Sequence, residues 1–216
     1  MKHKLLGMLI ALILGSFSLT VLASDGQNEL AQNHRCNRPG VDCTFNKILE
    51  ILEEEYGVTE LPTVGPPLAN YINASQVGNI VFVSSAGPEI LTGSGGFING
   101  ELPTLTLAEA QEAAMLSCVR GLRFLKSVIG DLDDVKKVVK VIGTVNVAPD
   151  YDDIVSGPAV GAIGSTIDGC SNFLVDVFGE EKGKHARAVG GKVALPFNIA
   201  TEIELIVEVR RGRGND

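Results

Sequence analysis

Histidine, cysteine and positive charge are all scarce in this sequence, and their scarcity narrows the chemistry that it can carry. The 216 residues include three histidines and four cysteines, with no CxxC pair and no Cys/His spacing of the kind that binds zinc. Ser84 and Ser85 end a predicted strand, but no histidine stands at a spacing that would pair with them. We therefore expect neither a metal site nor a Ser-His-Asp hydrolase.

Basic residues are outnumbered in the chain. The 18 Lys and Arg against 26 Asp and Glu give a formal net charge of −8, so the attraction for phosphate backbones is weak and nucleic acid is not an expected partner. The glycine-rich stretch at 93–96 does not lead directly into a helix, and no P-loop lysine follows it, which is typical of a plain loop. The arginines at 210–213 are interpreted as a solvated tail.

The one long apolar run lies at the start of the chain. The basic letters KHK precede an apolar stretch over residues 5–22, and the small residue Ala23 follows it. This pattern predicts a signal peptide over residues 1–23 and an exported protein, periplasmic or secreted, that has no membrane contact after cleavage. The run is just long enough to span a bilayer, so an uncleaved anchor is the alternative.

Export would place the four cysteines in an oxidising compartment, where three full pairings are open to them. Cys36 and Cys43 flank a Pro-Gly pair that favours a turn, so these two are the candidates for a disulfide that closes a small loop. Cys118 falls in one helical pattern and Cys170 in another. Each of these two is expected to be a buried small apolar residue.

The rest of the chain is predicted to form two parts. Residues 24–60 make an extension with one amphipathic helix, which begins near Asp42 or Thr44 and ends at Gly57. Residues 61–216 make the main domain, which begins with the proline-rich connector at 61–67.

In the main domain the predicted order is strand, strand, loop, helix, strand, helix, strand, strand. The clearest helix begins at a capping box of Thr106 and Glu109 and ends at Gly130. Residues 150–166 are predicted to be irregular, and the second helix is predicted to end at Gly179. Strands outnumber helices, and two helices suffice to cover one sheet face, so an α+β sandwich is expected.

Two charged residues near the C-terminus suggest a site. Alternation places Glu202 on the polar face of the last strand, and Arg187 lies on the strand before it. If these strands pair as an antiparallel hairpin around Pro196, Arg187 lies close to Glu202. The pair is then either a structural ion pair or a site in which the arginine binds a carboxylate and the glutamate activates water.

Longer stretches of the chain resemble the Rid family, the reactive intermediate deaminases of YjgF type, also called endoribonuclease L-PSP or chorismate mutase-like proteins. The resemblance covers roughly Leu61 to Arg210. It rests on NYINASQVGNIVFVSSAGP, on the capped helix, on VKKVVKVIGTVNVAPDY, and on FGEEKGKHARAVGGKVALPFNIATEIELIVEV. The helix before the domain is similar to an extension found in one subgroup.

The resemblance implies a chorismate mutase-like sandwich, in which one mixed sheet carries two helices on one face, and a homotrimer with three clefts between subunits. It implies hydrolysis of small 2-imino or enamine acids to 2-oxo acids and ammonia, with no cofactor and no metal. By the same resemblance Arg187 binds the substrate carboxylate, Glu202 places the attacking water and Tyr71 lines the cleft. Asp168 and Ser171 stand nearest to a helix asparagine of active members.

Several positions depart from the family pattern. Val189 replaces a common cysteine, Gly190 and Gly191 follow it, and Ala194 replaces a common arginine. Residues 154–166 resemble an insertion. These departures, together with the predicted export, keep a second reading open, in which the chain is a non-catalytic trimeric module that binds a small carboxylate or a protein partner.

Overall fold

The computed structural model describes residues 40–93, 95–153 and 161–210. The predicted signal peptide, Cys36 of the predicted Cys36–Cys43 pair, residues 154–160 of the predicted insertion and the end of the basic tail lie outside the described residues. In the described part of the chain, no helix has both the length and the apolar character that a membrane span requires.

Four helices and five strands make up the described fold. The helices are α1 (Cys43–Tyr56), α2 (Leu107–Ile129), α3 (Gly161–Thr166) and α4 (Asp168–Gly183). The strands are β1 (Ala74–Val77), β2 (Ile80–Ala86), β3 (Val135–Asn146), β4 (Ala186–Lys192) and β5 (Thr201–Val209). The predicted order of the main elements is confirmed.

The five strands form one mixed sheet in the order β1-β2-β5-β3-β4. The pairs β1–β2, β2–β5 and β5–β3 are antiparallel, and β3–β4 is parallel. Alternation along β5 directs Ile203, Leu205 and Val207 into a core under α2 and α4. The expected α+β sandwich, one mixed sheet with helices on one face, is therefore confirmed.

The predicted antiparallel pairing of β4 with β5 is wrong. Strand β3 lies between them, with Val141 aligned to Arg187 on one side and to Leu205 on the other. The unit β3–α4–β4 has a helix in its connection, and strands joined through a helical crossover pair in parallel. Arg187 is consequently two strand spacings, about 10 Å, from the line of β5, and it is not a hairpin partner of Glu202.

Among the described residues, no helix packs on the opposite face of the sheet. Phe82 of β2 is 49% exposed and stands opposite Ile206 of β5, and Ile142 of β3 stands between Glu204 and Ala188. These apolar side chains are uncovered in the described chain. A sheet face of this composition normally packs against another layer.

Helix α1 packs against the same core as the main domain. Asp42 caps its first turn by accepting from the Phe45 amide at 2.8 Å, and Gly57 ends it in the left-handed conformation, as the sequence predicts. Ile48 and Leu52 are fully buried in the core cluster. The helix is thus integral to the compact unit, while the predicted domain boundary at residue 60 stays a prediction.

A disulfide joins α2 to α4 through Cys118 and Cys170, whose Cα atoms are 5.4 Å apart. Both residues are fully buried, as expected, but the expectation that they are unpaired small apolar side chains is wrong. The helices approach closely because position 169 is glycine: a Cβ there would lie 2.0 Å from the Gln111 carbonyl oxygen. This contact between residues 52 positions apart is not visible in the local sequence pattern.

Two local features differ from expectation around residues 150–191. Residues 161–166 form helix α3, although the stretch was predicted to be irregular. Gly191 packs closely on this helix: a Cβ there would lie 2.9 Å from Ile163 Cδ1, the end of a flexible side chain. Gly190, in contrast, has open space at its Cβ position. Helix α4 does lose helical geometry at Gly179, the predicted end, and resumes for one further turn.

Candidate active site

The residues predicted to form the site lie in two separate places. Arg187, Asp168 and Ser171 meet at the β4 edge of the sheet, on the helix side. Tyr71 and Glu202 line a cavity beside β2 and β5. We call the first place the Arg187 cluster and the second the Glu202 cavity. The predicted closeness of Arg187 to Glu202 is therefore not found within one chain, because β3 separates their strands.

In the Arg187 cluster one nitrogen of the guanidinium makes both polar contacts. Nη1 donates to Asp168 Oδ1 at 2.6 Å and to Ser171 Oγ at 3.1 Å. The Arg187 side chain is 27% exposed, and Asp168 partly neutralises its charge. In the described part of the chain Nη2 and Nε make no hydrogen bond, so the guanidinium keeps one edge for a carboxylate.

His185 is the fourth residue of the Arg187 cluster, and it contacts Ser171 and the backbone of Gly183. Its Nδ1 lies 2.7 Å from the Gly183 carbonyl oxygen and its Nε2 lies 3.1 Å from Ser171 Oγ. A carbonyl only accepts, so Nδ1 carries the proton and Nε2 accepts from the serine. Burial lowers the pKa of His185, and Arg187 and Lys137 lower it further, which favours this neutral tautomer. The serine oxygen is thereby oriented to accept from Arg187.

The Glu202 cavity has a volume of about 420 Å³ and a mixed lining. Its polar groups come from four elements or loops, and its apolar wall comes from the proline-rich connector and from aromatic rings. The residues that bear on its chemistry are Tyr71, Ser85, Phe97, Arg120, Phe197 and Glu202. A pocket of this size, largely apolar with a few convergent polar groups, is suited to a small organic ligand.

Glu202 is the residue of this cavity whose environment most changes its acid–base properties. Burial raises the pKa of its carboxyl group, and neighbouring Glu204 raises it further, while Lys192 and a hydrogen bond from the Ser85 hydroxyl act in the opposite direction. The net effect is a pKa above the ordinary range for glutamate. A carboxylate with a raised pKa is a stronger base, which suits proton transfer from water.

The cavity mouth is formed by two exposed aromatic residues. Tyr71 is 50% exposed, and Phe197, in the turn between β4 and β5, is 68% exposed. Phe197 has φ of 56°, in the left-handed region that bulky residues seldom adopt. Such backbone strain persists only when the surroundings impose it, and it is concentrated at ligand-binding sites.

Sequence reasoning missed Arg120, Ser85, Phe97 and Phe197 as lining residues. Ser85 was singled out only as a nucleophile without a histidine partner. Arg120 lies within the amphipathic pattern of α2, where a charge is typical of the solvent-facing side. Among these residues only Phe197 gave a usable signal, since it follows Pro196 at the predicted break between two strands.

One group of carboxylates in the described residues is close enough to hold a cation. Oxygens of Asp42, Asp131 and Asp133 lie within 4.8 Å of one another. Their oxygens already accept hydrogen bonds from the start of α1 and from the Leu132 and Asp133 amides. None of the three lines the Glu202 cavity. The group therefore acts as a capping network for α1 and the turn at 132–134.

Comparison with known proteins places this geometry among relatives. Protein TCP17 of Trypanosoma cruzi is 33% identical over 151 residues, which is 69% of this chain and 88% of TCP17. The crystal structure of Atu1372 from Agrobacterium tumefaciens, a protein of unknown function, is 32% identical, with a TM-score of 0.62 over 77% of this chain and 95% of Atu1372. A candidate endoribonuclease from Shewanella oneidensis MR-1 is 26% identical, with a TM-score of 0.60 over 74% of this chain and 98% of its own. No family model matches the chain.

The fold, a five-stranded mixed sheet with helices on one face, defines a protein of the chorismate mutase-like class. The chain belongs to the YjgF/L-PSP family, the family that its sequence resembles. Membership of an exported subgroup stays a prediction.

Proposed function

We propose that this protein hydrolyses small 2-imino or enamine acids to 2-oxo acids and ammonia, at clefts formed between copies of the chain in a homotrimer. The observation that carries the proposal is the environment of Glu202. Its carboxyl group lines a cavity of ligand size together with Ser85, and burial raises its pKa. A base of this kind is what water needs in order to attack a C=N carbon near neutral pH.

Association through the uncovered sheet face supports the trimer. Association would remove Phe82, Ile142 and Ile206 from contact with water, and burial of their apolar surface would favour assembly. The Arg187 cluster lies at the β4 edge of the sheet and the Glu202 cavity lies toward the β2 side. A cyclic arrangement can therefore join the cluster of one copy to the cavity of the next, which supplies the site with both residues.

In the proposed reaction Arg187 holds the substrate carboxylate through its free edge, and Ser171 keeps the guanidinium in place. Glu202 takes a proton from water as the water oxygen bonds to the C=N carbon, and it passes this proton to the imine nitrogen, which gives an amino alcohol. The hydroxyl proton then reaches the nitrogen through Glu202 as the C–N bond breaks, so ammonia leaves, the carbonyl of the 2-oxo acid forms and Glu202 is again a carboxylate. Fixing the carboxylate makes the attack effectively unimolecular. No redox step is involved.

The direct test is ammonia release from a 2-imino acid generated in the assay. Wild-type protein is expected to accelerate release over the spontaneous rate, and Arg187→Gln and Glu202→Gln are each expected to lose the acceleration. The matched control is Arg210→Gln, which removes an arginine whose nearest carboxylate is Asp134, away from both places. Equal rates for wild type and Arg187→Gln would refute the assignment of the carboxylate to Arg187.

A mixing experiment tests whether the site is shared between copies. Arg187→Gln and Glu202→Gln chains are unfolded together and refolded as mixed trimers. If each site takes its arginine and its glutamate from different copies, about one site in four recovers both, and about a quarter of the wild-type rate returns. If both residues act within one copy, the mixture stays inactive.

A non-catalytic binding module is the second candidate, and one observation favours it. Asp168 stands near the position of the helix asparagine that the family resemblance gives to active members, and its carboxylate instead pairs with Arg187 at 2.6 Å. This reading expects a 2-oxo acid to raise the unfolding temperature with no ammonia released by the wild type. The name of the Shewanella relative suggests RNA cleavage instead. With a net charge of −8, we expect no RNA cleavage by this chain, which incubation with a labelled RNA checks.

We also propose that the protein works outside the cytosol. The predicted signal peptide is one support, and the buried Cys118–Cys170 disulfide is a second, because structural disulfides form in oxidising compartments. Fractionation of cells that express the full chain, with mass determination of the mature N-terminus, tests export and cleavage after Ala23 together. Recovery of full-length chain in the cytosolic fraction would contradict it.

A further inference from the structure

Arg120 is a cation of the Glu202 cavity to which the reaction above gives no task. It lies on α2, its side chain is 27% exposed, and it lines the cavity together with Tyr71 and Glu202. A charged side chain on the wall of a ligand-sized cavity affects which ligands bind there. The contacts of Arg120 within the chain therefore decide whether its charge is available to a ligand.

Two aromatic rings hold the Arg120 guanidinium in place. Its central carbon lies 4.9 Å from the centre of the Phe97 ring and 5.1 Å from the centre of the Phe124 ring. Cation–π contacts attract the charge and limit the rotamers, but they satisfy none of the N–H groups. In the part of the chain that the structure describes, Arg120 donates no hydrogen bond. The guanidinium is thus positioned with its donors unused.

The nearest carboxylate, Glu89, is committed to another arginine. Arg123, which is 5% exposed, donates from Nη1 to Glu89 Oε2 and from Nη2 to the Pro62 carbonyl oxygen at 2.5 Å. Arg120 Nε lies 4.0 Å from the same Glu89 oxygen, at the limit of an ion pair. Two guanidinium groups therefore share one carboxylate at the cavity wall, and one positive charge is left without a close partner.

Glu202 does not supply that partner. In the described residues no ion pair joins Glu202 to Arg120, and the cation that most affects the pKa of Glu202 is Lys192. The second acid on its face, Glu204, is exposed on β5. An external anion that enters the cavity would meet preoriented donors and would displace little existing bonding, which is the condition for a strong charge-assisted hydrogen bond.

We propose that Arg120 binds a second acidic group of the ligand, so that the preferred substrates are 2-imino dicarboxylates, the imino forms of acidic amino acids. This inference rests on the proposed function, which assigns the first carboxylate to Arg187. The cavity of about 420 Å³ admits a chain of this size. The two arginines then hold the two ends of the substrate, and Glu202 lies at the wall between them.

The test compares two 2-oxo acids of five carbons, 2-oxopentanoate and 2-oxoglutarate, which differ by one terminal carboxylate. Their binding to the intact protein is measured by calorimetry, so that turnover is not required. Wild-type protein is expected to bind 2-oxoglutarate at least about tenfold more tightly. Arg120→Met, which keeps apolar contact with both rings, is expected to remove this preference and to leave 2-oxopentanoate binding unchanged.

Two further variants separate the ends of the site. Arg120→Lys keeps the charge but loses the planar fork, so an intermediate preference is expected. Arg187→Gln is expected to weaken both ligands by the same factor, and Arg210→Gln to weaken neither. Equal binding of the two acids by the wild type would overturn the proposal, whatever the folding of the variants. So would an Arg120→Met variant that weakens both acids equally.

Failure of the proposed function gives a different result. If no imino acid releases ammonia while 2-oxoglutarate is still preferred and Arg120→Met removes the preference, the deaminase proposal fails and the dicarboxylate site stands. If imino acids with one carboxylate are hydrolysed as fast as those with two, the deaminase stands and the role of Arg120 is refuted.

Discussion

The Arg187 cluster and the Glu202 cavity differ in how far their charges are satisfied inside the chain. At the cluster Asp168 and Ser171 accept hydrogen bonds from Arg187, and His185 contacts Ser171, all at 3.1 Å or less. At the cavity a carboxyl group has a raised pKa, and an arginine lies against two aromatic rings with its nearest carboxylate oxygen 4.0 Å away. The cluster is therefore built to orient a group, and the cavity keeps reactive groups available.

This difference suggests a division of labour. A satisfied network gives a fixed geometry at small energetic cost, which suits the binding of a substrate carboxylate. Partly desolvated groups are costly for stability, and proteins keep them where chemistry or ligand binding requires them. Substitutions at the cluster and at the cavity test this comparison from either side.

The largest effect is expected for Glu202→Gln. Loss of the base should reduce ammonia release by about 10² to 10⁴ fold, the usual contribution of general base catalysis. Glu204→Gln is the matched control on the same face of β5. It should keep the rate and move the acid limb of the pH–rate profile to lower pH, because Glu204 raises the pKa of Glu202. A Glu202→Gln variant as active as wild type would remove the base from the mechanism.

The same variant has a stability effect of opposite sign. The folded-state pKa of Glu202 is raised, so ionisation costs folding free energy once the pH is above the unfolded-state pKa. Glu202→Gln should therefore unfold at a higher temperature than wild type near neutral pH, and the gain should vanish as the pH falls below both pKa values. Thermal unfolding of the wild type and of Glu202→Gln, near neutral pH and at a pH below both pKa values, measures this difference. A loss of stability near neutral pH would show that the carboxylate is structural.

Removal of the Cys118–Cys170 disulfide, which joins α2 to α4, should have the largest effect on stability. Cys118→Ala with Cys170→Ala opens a closed loop of about 50 residues, and the expected loss is about 4 kcal/mol in the free energy of unfolding. Denaturant unfolding with and without a reductant checks this value. The reductant should destabilise the wild type more than the double variant, which keeps only the predicted Cys36–Cys43 pair. If the reductant leaves the unfolding of the wild type unchanged, the disulfide does not stabilise the protein.

Asp168→Asn should change the binding of 2-oxo acids at the Arg187 cluster in the opposite direction from Arg187→Gln. Arg187→Gln removes a charge-assisted contact and should weaken 2-oxo acid binding by about 10- to 100-fold. Asp168→Asn removes the carboxylate that competes for the same guanidinium, so binding should tighten by about three- to tenfold. Calorimetry of both variants gives the comparison. Weaker binding by Asp168→Asn would show that Asp168 is needed to position Arg187.

The smallest effect is expected at the mouth of the cavity. Phe197→Asn places a residue that tolerates φ of 56° where phenylalanine is strained, so the free energy of unfolding should rise by about 1 kcal/mol. The lost aromatic wall should weaken ligand binding severalfold. Val193→Asn, an equally polar change at another exposed apolar residue, is the control for the stability measurement. A gain in both variants would show that exchanging an exposed apolar side chain for a polar one raises the stability, and that relief of backbone strain is not the cause.

The elements themselves could be predicted because their signals are local. The capping box of Thr106 and Glu109 and the helix end at Gly57 each act within a few residues of the chain. The pairing of β4 was mispredicted because strand neighbours depend on the whole sheet. The strand–helix–strand order of β3, α4 and β4 was the available signal for a parallel pair.

The candidate site was predictable only in part for the same reason. Family resemblance pointed to Arg187, Glu202 and Tyr71, but it could not show that the first lies apart from the other two. Arg120 gave no signal, because a charge on an amphipathic helix has the same appearance whether it faces solvent or a cavity. Its distinction comes from Phe97 and Glu89, which are far from it in sequence.

The sequence by itself thus determined the order of the main helices and strands, the sandwich class and the family, because periodicity, capping and turn residues act over short distances. The tertiary structure decided that β3 separates Arg187 from Glu202, that Cys118 joins Cys170, and that Arg120 faces a cavity with its donors unused. These outcomes depend on which distant segments pack together. That choice is made by the burial of the whole core and not by any one stretch of the chain.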